Sequence, residues 1–169
     1  AEVLIENFAA VPYAFFARNI IFAKDGKDAE AKIENMDLAT TVVVETSENS
    51  KIPILDPNLT LKIRERNGEK FSVDIKSDHI VKNSFFVWNE NFSDDWQATM
   101  RGEKIPIQRT NMSSMGLYLP PLLPGETMRI DFLFWDPVIL LGQIITGVTI
   151  FLIICLLGFD FFRRRGILR

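Results

Sequence analysis

One uncharged segment near the C-terminus constrains the fold more than any other feature of the sequence. From Val138 to Phe159 the chain reads VILLGQIITGVTIFLIICLLGF, 22 residues without a charged side chain. Because a helix rises about 1.5 Å per residue, this segment is long enough to cross a hydrocarbon layer of about 30 Å. A buried helix of a soluble domain is the alternative, but such helices seldom run this far without a charge. The sequence therefore predicts one transmembrane helix.

The residues on either side of this span predict its orientation. Short segments rich in Lys and Arg stay in the cytoplasm, and the sequence after the span is DFFRRRGILR. We therefore expect an outer domain over residues 1–137, a span over 138–159 and a basic cytoplasmic tail over 160–169. Aromatic and basic side chains concentrate at membrane interfaces. The predicted interface anchors are Trp135, Phe161, Phe162, Arg163, Arg164 and Arg165.

The outer domain needs an export signal, and the first residues do not supply one. The sequence opens AEVLIENFAAVPYAFF, which has neither a basic n-region nor an apolar core that ends at a cleavage site. We expect either a signal peptide that has been removed or further spans upstream in a longer chain.

Composition narrows the partners of the outer domain. The chain carries 19 Lys and Arg against 22 Asp and Glu, and four of the arginines belong to the tail, so the outer domain is acidic. Its basic residues are scattered through the predicted strands, and we therefore expect no nucleic-acid partner. Cys155, the only cysteine, falls in the span, so no intrachain disulfide is expected.

Alternating apolar residues predict a β-rich outer domain. We expect a strand within residues 8–23, a short helix from Lys27 to Met36, and a strand over residues 40–47. Residues 59–63 and 71–75 alternate on either side of RNGE, which predicts a hairpin with one apolar face. Further strands are expected at residues 85–88, 96–100, 104–109, 116–119 and 128–134.

Seven or eight short strands at this spacing predict an antiparallel β-sandwich with one short helix, followed by a single C-terminal transmembrane helix. The proline-rich segment LPPLLPGE interrupts the strands. Because proline lacks the N–H donor that a central strand needs, we expect this segment at a sheet edge near the membrane.

The order of motifs from Asn83 to Pro137 has a counterpart in a known family. FFVWNENFSDDWQATMRGEKIPIQRTN is followed by LPPLLPGETMRIDFLFWDP and then by the span. This series resembles the C-terminal module of YfhO-like bacterial membrane proteins, polytopic relatives of glycosyltransferases that use lipid-linked sugars. The family usually has Pro-Gly before the Trp and Asp-Gly at the hairpin, and this chain has neither. The resemblance implies a bacterial inner membrane, an outer domain in the periplasm or outside the cell, and catalytic loops outside this sequence.

Asp94 and Asp95 are the most suggestive catalytic candidates. Adjacent residues of an extended chain point to opposite sides, so the two carboxylates cannot easily converge on one substrate atom as glycosidase carboxylates must. We therefore interpret them as turn residues and Trp96 as a core residue. The predicted structural core comprises Trp88, Trp96, Phe132 and Phe134.

Other motifs for catalysis or ligand binding are weak. His79 is the only histidine, so a zinc site lacks ligands, and we interpret His79 as a solvated loop residue. Matches to the glycosylation sequon at Asn58, Asn91 and Asn111 are short enough to arise by chance. We expect no catalytic residue, no metal and no cofactor.

The favoured function is that of a non-catalytic accessory subunit, anchored by one span and packed against a larger bacterial membrane complex, such as a photosynthetic or respiratory core. Small residues let membrane helices approach closely. The predicted helix-packing interface comprises Gly142, Gln143, Thr146 and Thr149, and the expected partners are lipid and a larger integral membrane complex. A scatter of Gly and Thr that faces lipid is the alternative.

A second hypothesis is the accessory tail of a YfhO-like glycosyltransferase that acts on undecaprenyl-phosphate sugars. Its outer domain would help to bind a glycan or an acceptor. Exposed aromatic rings stack on sugars, and Tyr13, Phe15, Trp88 and Tyr118 are the candidates, although aromatic residues in strands are more often core. A third hypothesis is a carbohydrate-binding or chaperone-like module that acts alone.

Overall fold

The computed structural model describes residues 11–34, 36–46 and 54–164, and it describes side chains as far as residue 159. Contacts divide the chain into one unit that ends at Phe134 and another that begins at Trp135. The elements are β1 (Ala14–Phe16), β2 (Asn19–Ala23), α1 (Gly26–Ile33), β3 (Thr41–Glu45), β4 (Thr60–Arg66), β5 (Lys70–Lys76), β6 (Ser84–Trp88), β7 (Trp96–Met100), β8 (Glu103–Ile105), β9 (Gln108–Thr110), β10 (Ser114–Leu119), β11 (Thr127–Phe134) and α2 (Pro137–Arg164).

Two β-sheets form the first unit, which confirms the predicted fold class. A five-stranded antiparallel sheet has the order β4-β5-β11-β7-β8, and a six-stranded sheet has the order β1-β6-β10-β9-β3-β2. Only the β2–β3 pair is parallel among the pairs described. The two sheets pack face to face because alternate residues of their strands are apolar. The core between them includes Phe71, Val73, Phe86, Trp88, Leu117 and Phe132.

The six-stranded sheet curls until its two ends meet. β1 and β2 stand at opposite ends of the strand order, which in a flat sheet would be about 24 Å apart. Only Ala17 and Arg18 separate them, a link of at most about 11 Å between the last residue of β1 and the first of β2. The N–H of Ala17 donates to the carbonyl of Phe85 (2.9 Å), and that of Arg18 to the carbonyl of Thr40 (2.7 Å). The single strand predicted within residues 8–23 is therefore wrong: the structure has two strands there, β1 and β2, with different partners.

The short helix α1 packs on the outside of this curl. Asp25 caps its first turn by accepting a hydrogen bond from the N–H of Asp28. Ala29 is fully buried against Ala23 and Val43. The helix ends earlier than predicted, because the N–H of Met36 turns back to the carbonyl of Ile33.

Two predicted strands differ from the structure. The strand predicted at residues 104–109 breaks into β8 and β9, which belong to different sheets. Pro106 stands at the break and has no N–H to continue a ladder. In the β4–β5 hairpin, a bulge shifts the register between Ile63 and Glu65. Ile63 itself is paired with the buried Val73 but stays 43% exposed, because β4 is an edge strand of its sheet.

The proline-rich segment is also placed differently from the prediction. Its Leu122 forms an isolated bridge with Val81, in which each N–H donates to the other residue's carbonyl at 2.9 Å. Both side chains are buried in the core between the sheets. The segment therefore closes the core at the end of the sandwich where β11 begins, instead of lying along a free edge.

The second unit consists of the helix α2 and the two residues before it. The segment Pro137–Phe159 is long and apolar enough to cross a membrane, and none of it is buried in this chain. Asp136 caps the helix, because its Oδ1 accepts a hydrogen bond of 2.7 Å from the N–H of Val138. The helix continues to Arg164, so the first residues of the predicted tail are helical.

Candidate functional site

The predicted packing surface of α2 has one face of small residues. Gly142, Thr146 and Thr149 follow each other at spacings of four and three residues, so they lie on one side of the helix. The two threonine hydroxyls donate 2.8 Å hydrogen bonds to the carbonyls of Gly142 and Ile145. A Cβ added to Gly142 would meet no atom within 4 Å. This face is therefore open to a close neighbour from outside the chain.

Gln143 adds a polar group beside this face. Its side chain is exposed, and it has no hydrogen-bond partner within the described part of the chain. An amide that enters an apolar layer without a partner is unfavourable. A hydrogen-bonding group from another helix would satisfy it.

The predicted interface anchors are only partly described. Trp135 is half-exposed and lies just before α2, in the same unit as the helix. The segment with Phe161, Phe162, Arg163 and Arg164 is the last part of α2, where side chains are outside the description. Arg165 lies outside the described residues. The anchoring role of these residues stays a prediction.

The four predicted core residues form one aromatic group. Trp88 and Phe132 are almost completely buried, and their ring centroids are 4.7 Å apart. Trp96 is partly buried and meets Trp88 edge-on at 4.8 Å and Phe134 at 5.1 Å. Trp96 thus covers the end of the core instead of filling its centre.

Asp94 and Asp95 lie in the turn before β7. The Oγ of Ser93 donates to a carboxylate oxygen of Asp95 at 3.0 Å and accepts from the N–H of Asp95 at 3.2 Å. The N–H of Trp96 donates to the carbonyl of Ser93, which closes the turn. Asp95 thus has a local structural role, while Asp94 is exposed.

His79 is held more firmly than the sequence predicts. Its Nε2 lies 2.6 Å from Oδ2 of Asp56, and its Nδ1 lies 2.7 Å from Oδ1 of Asp78. These hydrogen bonds, that to Asp78 first, raise the pKa of His79 above its ordinary value. The ring of His79 therefore ties two loops together, and its side chain, 39% exposed, is only partly solvated.

The neighbouring Ser77 does not make this group a catalytic triad. Its Oγ lies 3.3 Å from Nδ1 of His79 but donates its own hydrogen to the carbonyl of His79 at 2.8 Å. Because each ring nitrogen of His79 lies within 2.7 Å of a carboxylate oxygen, neither is available to accept the serine proton. Burial raises the pKa of Asp56, but the N–H of Asn58 and the ring of His79 outweigh it and lower that pKa.

The aromatic residues proposed to stack on sugars are mostly covered. Phe15 and Trp88 are buried. The guanidinium of Arg66 lies 3.8 Å from the ring centroid of Tyr13, so that ring face is occupied. Tyr118 keeps 43% of its surface exposed and packs against Phe85. Only Tyr118 among the four offers an accessible ring, so this argument for a sugar platform is wrong for the other three.

An ion-pair cluster on the outer face of the five-stranded sheet was not anticipated from the sequence. Asp74 is 3% exposed, and its two carboxylate oxygens accept from Nε of Arg64 (2.5 Å) and Nε of Arg129 (3.0 Å). The hydrogen bonds from Arg129 and then Arg64 lower the pKa of Asp74. The sequence did contain one indication of this cluster. In each of the three strands polar and apolar residues alternate, and the polar positions include Arg64, Asp74 and Arg129.

Two other features of the described residues bear on ligand binding. No group of three His, Cys, Asp or Glu side chains is arranged to hold a metal ion in the described part of the chain. Of the sequon residues, Asn58 and Asn91 are exposed, while Oδ1 of Asn111 accepts from the N–H of Val43 at 2.9 Å. Asn111 therefore contributes to the fold.

Comparison with known proteins gives no assignment. No protein-family model matches the chain, and no curated protein sequence or solved structure shows significant similarity to it.

Proposed function

We propose that this chain is a non-catalytic accessory subunit that crosses a bacterial inner membrane once and packs against a larger membrane protein complex. One observation carries the proposal: the segment Pro137–Phe159 of α2 has no charged side chain on any side, and none of it is buried in this chain. A helix with such a surface needs lipid or other helices to cover it.

A protein partner explains the small-residue face better than lipid alone. Gly142 leaves open space on the helix, and the threonine hydroxyls of this face already bond to the backbone of α2. Such a face allows another helix to approach closely without leaving a polar group unpaired. A polar group of that neighbouring helix then provides the amide of Gln143 with a hydrogen-bond partner.

The non-catalytic assignment is supported by what the candidate groups do in the fold. Asp95 is bonded within its own turn, and each ring nitrogen of His79 lies within 2.7 Å of a carboxylate oxygen. These side chains organise loops, and this role accounts for their contacts without a substrate.

Leucine substitutions on α2 test the proposed packing. Gly142→Leu and Thr146→Leu meet no obstacle inside the chain but force a neighbouring helix away. We expect both variants to insert in the membrane, keep a folded outer domain and lose most of the protein that copurifies in mild detergent. Gly158→Leu is the matched control for Gly142→Leu, and Val148→Leu is the matched control for Thr146→Leu. The control positions lie roughly 160° and 200° around the helix from the test positions. Copurification that survives both test substitutions would contradict helix-mediated packing.

The proposed orientation places residues 1–137 outside the cytoplasm, since the arginine cluster follows the span. Protease added to sealed right-side-out vesicles should digest the β-domain and spare the tail. Protection of the β-domain with loss of the tail would reverse this orientation.

The same purification separates this function from the YfhO-like alternative. An accessory subunit should recover chains from other genes, whereas the tail of a polytopic glycosyltransferase should recover only the rest of its own chain. Intact mass of the recovered material distinguishes the two.

A further inference from the structure

The outer face of the five-stranded sheet gathers basic residues that lie far apart in the sequence. Strand register places Lys62 opposite Asp74 and Asp74 opposite Arg129, while Lys104 lies opposite Thr99. Directly paired residues share one face of a sheet, and the alternate residues of these strands fill the core. The face that points away from the core, here called the cationic face, carries the basic residues Lys62, Arg64, Lys70, Lys76, Lys104 and Arg129.

The charge of this face opposes that of the whole chain. Its six basic residues stand against the three carboxylates of Glu65, Asp74 and Asp131, whereas the chain has a net charge of −3. The expectation that the basic residues are scattered is wrong in three dimensions, because β4, β5, β8 and β11 bring them to one side. A local surplus of positive charge on an acidic protein indicates a surface that meets something anionic.

Most of this positive charge is available to a partner. None of the four lysines forms an ion pair with a residue in the described part of the chain. Arg64 and Arg129 bond to Asp74 through Nε alone, and their side chains are 46% and 58% exposed. The terminal nitrogens of both guanidinium groups are thus oriented by Asp74, and they donate to no other group among residues 11–34, 36–46 and 54–159.

The middle of the face also offers a shallow groove. A volume of about 320 Å³ is lined by the carboxylates of Glu65 and Asp131, by Lys70, and by Ser72, Gln97, Thr99, Phe132 and Leu133. Leu133 is 40% exposed and supplies an apolar contact. The face therefore combines basic groups, hydroxyl and amide groups and one apolar side chain, as the rim of a protein interface does.

We propose that the cationic face docks an acidic protein surface, rich in Asp and Glu, on the outer part of the partner complex. This inference rests on the proposed function and assigns the outer domain its own contact. Guanidinium groups match carboxylates in a bidentate fork. Because the helix already holds the two proteins together, the charged face mainly sets register and selects the partner.

A protein partner fits this face better than a glycan or a nucleic acid. Sugars and the bases of single-stranded nucleic acids are commonly bound by stacking on aromatic side chains. The described outward residues of β4, β5, β7, β8 and β11 include no aromatic side chain. Carboxylates on a folded surface need only the charges and donors that the face provides.

The first experiment measures binding of poly-L-glutamate to the full chain in phosphatidylcholine nanodiscs. We expect affinity that falls as salt rises. The triple variant Lys70→Glu, Lys76→Glu, Lys104→Glu should weaken binding at least about tenfold, since it reverses unpaired charges at positions that are not paired with Asp74. The control triple Arg18→Glu, Lys27→Glu, Lys82→Glu changes net charge equally but lies off the face, and it should bind nearly as the parent does.

Three results of this experiment would overturn the inference. These are no binding of poly-L-glutamate, equal loss in the control triple, or preference for heparin, DNA or phosphatidylglycerol vesicles over poly-L-glutamate. The last result would assign the face to sulfate or phosphate groups instead of carboxylates.

A second experiment works in native membranes. A photo-crosslinking residue in place of Thr99 should join an acidic peptide of another protein, and the lysine triple should abolish this product. Reversing two carboxylates of the crosslinked peptide to lysine should restore it. Crosslinks to lipid alone, in a chain that still copurifies through Gly142, would overturn this inference and leave the proposed function standing. If the parent chain copurifies with no other protein, that result would instead count against the proposed function.

Discussion

The ring of Phe85 lies so close to Gly116 that residue 116 has no room for a side chain. A Cβ there would lie 2.5 Å from Cζ of Phe85 and 2.7 Å from Cγ2 of Thr110. Phe85 and Thr110 are both completely buried, so neither can move into solvent. We expect Gly116→Ala to lower the free energy of unfolding by about 1–3 kcal/mol, the usual effect of overpacking a core. Urea unfolding followed by tryptophan fluorescence measures it.

Gly26 provides the matched control for this substitution. A Cβ on Gly26 meets nothing within 4 Å, and the residue begins α1, where alanine is favoured over glycine. Gly26→Ala should therefore leave stability unchanged or raise it slightly. If Gly116→Ala unfolds at the same urea concentration as the parent, the close packing inside the curled sheet is contradicted.

The two tryptophans of the core should differ in their contributions to stability. Trp88 is almost fully buried among Phe71, Phe132 and Trp96, whereas Trp96 keeps part of its surface in solvent. We expect Trp88→Ala to cost about 3–5 kcal/mol, the range for a large buried aromatic, and Trp96→Ala to cost less. Equilibrium unfolding of the two variants under identical conditions gives the order. A greater loss in Trp96→Ala would contradict it.

Local patterns predicted the elements whose two faces differ. Phe71, Val73 and Ile75 alternate with polar residues, and the structure buries all three on one face of β5. The apolar run from Val138 predicted a long helix for the same kind of reason, since its length and composition are properties of one continuous segment. Such features need no knowledge of which strands pair.

Three features that the sequence did not predict depend on distant pairing. Ala17 and Arg18 look like the middle of one strand, and only their bonds to Phe85 and Thr40 show that the chain changes partners. His79 lies beside Asp78 in the chain, but its second carboxylate is 23 residues away in Asp56. The cationic face arises in the same way, because register, not sequence distance, aligns its residues.

The stability supplied by His79 should depend on pH. Hydrogen bonds to Asp78 and Asp56 raise the pKa of His79 in the folded state. Its contribution should thus be complete below the unfolded pKa of about 6.5 and disappear as pH rises through the higher folded pKa. We expect the stability difference between the parent and His79→Gln to shrink over that interval. Urea unfolding at several pH values measures it.

NMR offers an independent check on this prediction, since His79 is the only histidine in the chain. Its ring resonance should titrate above the ordinary range in the parent and closer to that range in Asp78→Asn. A ring that titrates at or below the ordinary value in the folded parent would contradict the double contact.

The last prediction concerns Asp74, whose buried carboxylate forms ion pairs with both Arg64 and Arg129 on the cationic face. Asp74→Asn keeps the shape but leaves two guanidinium groups side by side without a counter-charge, so we expect it to destabilise the outer domain at pH 7. The two arginines lower the folded pKa of Asp74, and its stabilising effect is therefore present above the unfolded pKa of about 3.9 and lost as pH falls through the folded value. The difference in stability between the parent and Asp74→Asn should therefore disappear in acid.

Asp131→Asn is the control, because that exposed carboxylate bonds only to Ser72 among the described side chains. Unfolding midpoints from pH 7 to pH 2 distinguish the two, and equal midpoints for both variants at pH 7 would show that Asp74 does not organise the arginine pair.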